Sequence, residues 1–99
     1  MQQRYEINPI VVNGITITHV VIDMHYKAKH SDHMNDDLIL RLVNELSGRR
    51  EIPETRAGSY SYFVTLIELD EKQYRLIWLL EDDAIYVGVV NAYRDKRRR

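Results

Sequence analysis

The sequence predicts an α+β domain in two layers: a mostly antiparallel sheet in the order ββαβββ, with one main helix packed on one face. Three observations predict it. An Asn-Gly pair separates two β-rich runs near the start, and one stretch carries apolar residues at helical spacing. The last third holds three consecutive strand-like runs joined by short acidic turns. A helix with a single apolar stripe must bury it on a sheet, which sets the layering.

The first element is a hairpin. Tyr5–Val12 and Ile15–Asp23 flank Asn13-Gly14, a pair that accepts the positive φ angles of a type I′ turn. Pro9 cannot donate to a ladder, so the first strand belongs at an edge. The helix follows in "NDDLILRLVNELSG". Leu38, Ile39, Leu42, Val43 and Leu46 form one face, Asn35 is a good N-cap, and Gly48 suits the C-terminal stop. Residues 47–59, "SGRREIPETRAGS", are expected to form a loop. Its arginines (Arg49, Arg50, Arg56) are matched by acidic neighbours Glu45, Glu51 and Glu54. The remaining strands are 60–69, 73–80 and 84–93. Trp78, Leu76 and Leu80 share one face of the middle strand, and apolar residues on its other face place it centrally. Gly88 marks a bulge or a close backbone approach.

Ninety-nine residues make one domain, here 1–93, followed by a basic tail, 94–99. The tail "RDKRRR" holds five of the fourteen Lys and Arg against one acid. Its charge of +4 leaves −5 on residues 1–93. A body of that sign is unlike a nucleic-acid binder, so any RNA contact must be local. There is no cysteine, which excludes disulfide scaffolds and thiolate zinc sites. No apolar run reaches membrane-spanning length and the first residues do not resemble a secretory signal, so a cytoplasmic protein without membrane contact is expected. Nucleotide-binding glycine loops, serine-hydrolase elbows and the His-Glu-x-x-His pattern are absent.

The segment "MHYKAKHSDHMNDD" carries chemistry that capping does not explain. His25, His30 and His33 fall within nine residues. Their spacing is not a standard zinc signature, so neither metal nor cofactor is expected. His30 and His33 suit proton transfer near neutral pH, and Lys27 and Lys29 suit phosphate binding. Metal-free RNA cleavage needs both: a base for the 2′-hydroxyl, an acid for the leaving oxygen, and cations for the phosphorane. The other reading of this segment is a solvated helix entrance.

The run "YRLIWLLEDDAIYVGVVNAYRDKRRR" resembles the second half of RelE/ParE-superfamily toxins of bacterial toxin–antitoxin modules. Tyr74-Arg75 matches the pair that opens a central strand of that family. Glu81-Asp82-Asp83 matches the acidic turn, and Arg94 the basic residue near the chain's end. The likeness covers roughly residues 35–99. It implies a RelE-like fold and a metal-independent endoribonuclease. It also implies that Arg75 faces the scissile phosphate and Arg94 closes the site, with Tyr93 nearest to the family's C-terminal tyrosine or histidine. RNA and a cognate antitoxin would be its partners. Read without the resemblance, Arg75 is equally an arginine paired with a carboxylate such as Glu68. The acidic body equally suits a non-catalytic module of inhibitor or immunity type, or a homodimer subunit.

Overall fold

The computed structural model of the chain describes residues 2–24 and 34–96. Within them the elements are β1 (Gln2–Val12), β2 (Ile15–Asp23), α1 (Asp36–Asn44), β3 (Thr55–Ala57), β4 (Tyr60–Leu69), β5 (Lys72–Glu81) and β6 (Tyr86–Arg94). Asn13 and Gly14 have φ of 52° and 76°, as a type I′ turn requires. The strands pair on either side of it, with Val12 opposite Ile15. The ladder slips between Glu6 and Ile10, around Pro9, and β1 is an edge strand.

The fold class expected from the sequence is corrected here. The strands form one six-stranded mixed sheet, in the order β1-β2-β6-β5-β4-β3. About 60% of the described residues are strand and 10% helix. The RelE-like ββαβββ arrangement, with a main helix laid on a mostly antiparallel sheet, does not fit. Three features account for the difference. The segment read as a loop contributes β3, whose Arg56 stands opposite Ser61. β2 runs parallel to β6, with Ile22 opposite Val89. The helix closes after nine residues, because the chain turns over Glu45–Gly48 and Gly48 takes φ 83°.

Asn35 caps α1 through its side chain, which accepts from the Leu38 N–H at 2.8 Å. Tyr5 of β1 donates to Asp36 in the first turn. That hydrogen bond raises the phenol above its ordinary pKa, with desolvation and the nearby acids acting the same way. The buried side of α1 (Ile39, Leu42, Val43) joins one apolar cluster with Val20 and Ile22 of β2, Phe63 and Ile67 of β4, Leu76 and Trp78 of β5, and Val87 and Val89 of β6. Phe63 and Trp78 stack with centroids 4.1 Å apart. Thr65 is buried among these side chains and accepts from Trp78 Nε1 at 2.9 Å, while its own hydroxyl donates to Glu51 at 3.1 Å. Among the described residues, no helix is long and apolar enough to cross a membrane.

Candidate functional site

The sheet has two unlike faces. Along β5, Tyr74, Leu76, Trp78 and Leu80 are buried, while Gln73, Arg75, Ile77, Leu79 and Glu81 are partly open. Directly opposed residues of neighbouring strands share a face. The open face therefore carries a row across five strands: Arg4 of β1, Val21 of β2, Gly88 of β6, Leu79 of β5 and Tyr62 of β4. The adjoining row places His19 opposite Tyr86, and Glu81 opposite Tyr60. Gly88 leaves room for the Leu79 side chain, which lies over it: a Cβ there would sit 2.8 Å from Leu79 Cδ1. Beside it lies a hollow of about 350 Å³ walled by Arg4, Asp23, Tyr60, Tyr62, Leu79 and Tyr86. Tyr86 donates to Glu81 at 2.6 Å. Burial, then Glu81 and Tyr60, push its phenol well above the ordinary tyrosine pKa. A larger hollow of about 550 Å³ lies around Asn13, Pro53 and Leu80. Its charged walls are Glu81, Asp82 and Asp83, with no cation or imidazole among them.

Arg75 lies on the open face, opposite Tyr93. Its Nη2 is 3.2 Å from Oδ2 of Asp95, a carboxylate only 6% exposed. The pairing anticipated with a neighbouring-strand acid exists, but Asp95 supplies it, not Glu68. A guanidinium has five N–H donors in a rigid fork. The contact with Asp95 holds the group in place, and the side chain remains 23% exposed.

The expected partnership of Arg75 with Arg94 fails on strand geometry. Arg94 stands opposite Tyr74, on the helix-side face, whereas Arg75 and Tyr93 stand on the other. Adjacent positions on paired strands point to opposite sides of a sheet, so these two guanidinium groups do not converge. His30, His33, Lys27 and Lys29 lie outside the described residues. The chain leaves β2 at Asp23, one step beyond the Ile22–Val89 pair, alongside the half of β6 that bears Asn91 and Tyr93. It returns at Met34, which is buried in the core.

Among the loop arginines, Arg49 lies 3.8 Å from Glu51. Arg56 binds Asp82 and donates to Ser61 at 3.0 Å. This contact raises the Arg56 pKa and lowers that of Asp82, in both cases chiefly through the hydrogen bond between them. Among the described residues, no group of three or more His, Asp or Glu side chains is arranged to hold a metal ion.

Sequence reasoning missed Asp95, Arg4 and the Tyr86–Glu81 bond. Strand alternation marks Tyr60 and Tyr62 as facing away from Phe63, and that was readable in advance. Arg4 joins them only through the parallel pairing of β2 with β6. Asp95 carries no local signal, because its role follows from the register of β6 on β5. Comparison with known proteins adds no family: no family model, curated protein or solved structure matches the chain.

Proposed function

We propose that the chain is a metal-independent endoribonuclease, acting through the open sheet face. One observation carries this reading: Arg75 stands beside Tyr93 with its guanidinium held by a buried carboxylate. An arginine fixed before substrate arrives loses little entropy when it binds a phosphate, and it offers planar donors to developing phosphorane charge. The histidine- and lysine-bearing segment follows β2, which is separated from β5 by β6 alone and whose last pair with β6 is Ile22–Val89.

On this reading the 2′-hydroxyl of RNA attacks the adjacent phosphorus. His30 or His33 takes the hydroxyl proton, and the other returns a proton to the departing 5′-oxygen. The P–O5′ bond breaks as the P–O2′ bond forms, leaving a 2′,3′-cyclic phosphate and a 5′-hydroxyl. Lys27, Lys29 and Arg75 neutralise the phosphorane. Arg94 has no part in it, because it lies on the other face. An acidic body confines phosphate contact to such local cations, which fits a site of few arginines rather than a basic surface.

The test is incubation of the purified protein with RNA and with translating ribosomes in the presence of a chelator. Cleavage leaving cyclic phosphate ends is expected, reduced about 10²–10³-fold in Arg75→Ala. Melting curves and the Arg75→Lys variant separate catalysis from folding. No cleavage by the wild-type protein, or equal cleavage by a folded Arg75→Ala, overturns the reading.

A second reading is favoured by the charge of the body, −5 over residues 1–93. A non-catalytic module of that charge would bind a protein with a basic surface. Salt-sensitive association with a basic partner, without RNA cleavage, is the outcome that selects it.

A further inference from the structure

We infer that the tyrosine-walled hollow on the open face is a subsite for one unpaired nucleobase of single-stranded RNA. The inference rests on the ribonuclease reading and gives that site a second contact, away from the phosphate.

Size and wall chemistry set the occupant. The hollow, about 350 Å³, lies at the lower end of the range for small-molecule pockets. It suits one flat ring system and is too small for a helix or a protein loop. Tyr60, Tyr62 and Tyr86 supply aromatic walls. Tyr60 and Tyr62 are tilted by 47° with centroids 6.4 Å apart, so neither ring is closed off by parallel stacking on the other. Leu79 forms the floor, its side chain lying over Gly88. Bases stack on aromatic side chains whatever their sequence, and the same wall carries one cation, Arg4, beside the carboxylate of Asp23.

Position supports the same occupant. Leu79 and Arg75 lie on one strand and one face, four residues and so ~13 Å apart at the rise of a β-strand. An extended single strand can therefore place one phosphate at Arg75 and a nearby base in the hollow. Aromatic walls far from any cation would carry no such implication. Here both features share one sheet face and one direction along β5.

The test uses short RNA oligonucleotides with 2′-O-methyl groups, which lack the attacking hydroxyl and report binding alone. Each of the four homopolymers is titrated against wild-type protein, Tyr62→Ala, Tyr62→Phe and Arg75→Ala. Loss of one stacked base corresponds to about tenfold weaker binding. That loss is expected in Tyr62→Ala, with Tyr62→Phe retaining wild-type affinity because it keeps the ring. Equal binding by a folded Tyr62→Ala overturns the subsite, as does absence of oligonucleotide binding by the wild-type protein. Should Tyr62→Ala bind normally while Arg75→Ala abolishes cleavage, the subsite falls and the ribonuclease reading stands. Should binding depend on Tyr62 while no RNA is cut, the subsite stands and catalysis falls.

Discussion

Arg75 and Asp95 join β5 to the chain just beyond β6, with Nη2 3.2 Å from Oδ2. The backbone N–H of Asp95 also donates to the Gln73 carbonyl at 2.8 Å, extending the ladder past Arg94. The pair thus fastens the end of the sheet and sets the direction of the arginine that faces the open side.

Replacing Asp95 by alanine removes the acceptor from a guanidinium that is itself mostly covered. Breaking a fully buried pair costs about 3–5 kcal/mol. With the Arg75 side chain 23% exposed, a loss of about 1–3 kcal/mol is expected. Urea denaturation measures it. An unchanged midpoint for Asp95→Ala would show that the contact contributes nothing to folding. On the ribonuclease reading proposed above, the same variant should also cut RNA more slowly, because Arg75 is no longer oriented.

The Trp78–Thr65 hydrogen bond lies within the core, and Thr65 is the buried polar side chain of the apolar cluster. Thr65→Val keeps the shape and leaves the Trp78 N–H without an acceptor. A cost of about 1–3 kcal/mol is expected. In a Trp78→Phe background no donor remains, so the same substitution should cost much less. A double-mutant cycle with no coupling would count against the bond.

Gly88 and Leu79 are coupled through space. The Cβ of Gly88→Ala would meet Leu79 Cδ1 at 2.8 Å and Cγ at 2.9 Å. A destabilisation of about 1 kcal/mol is expected, modest because Leu79 is partly open and can turn away. In a Leu79→Ala background the clash disappears, and Gly88→Ala becomes neutral or stabilising by restricting the unfolded chain. Equal effects in both backgrounds would place the constraint elsewhere.

Alkaline pH should weaken the fold through Tyr86. Its folded pKa is raised above the ordinary value of 10.0, so the protonated phenol is the favoured native form. The stability it contributes is fully present below pH 10 and is lost as the pH rises through the folded pKa. Tyr86→Phe cannot ionise there. Its melting temperature should fall less steeply above pH 10 than that of the wild-type protein, and parallel curves would remove Tyr86 from the account.

Much of the local structure was legible in the residues. The turn at Asn13-Gly14 follows from the positive φ that both residues tolerate. The start of α1 follows from the Asn35 side chain, which competes for the same N–H groups that a helix leaves unpaired. The buried face of β5 follows from period-two alternation around Trp78. The candidate site was half legible. Arg75 stood out beside Tyr74 at a strand start, but its pairing with Asp95 and its separation from Arg94 depend on a register that no local pattern specifies. β3 was missed because three exposed residues, Thr55–Ala57, bury no apolar stripe and leave no periodic trace.

By itself the sequence determined where the first hairpin turns, where the helix begins and which side chains of β5 lie inward. These are decisions made among neighbours, by allowed φ angles, capping and alternation. Tertiary structure alone decided that β2 lies parallel to β6 and that one sheet face stays open with Arg4, Gly88 and Tyr62 in a row. It also decided that Asp95 holds Arg75. Strand order is chosen by how distant apolar faces bury one another, and that energy belongs to pairs of segments far apart in the chain.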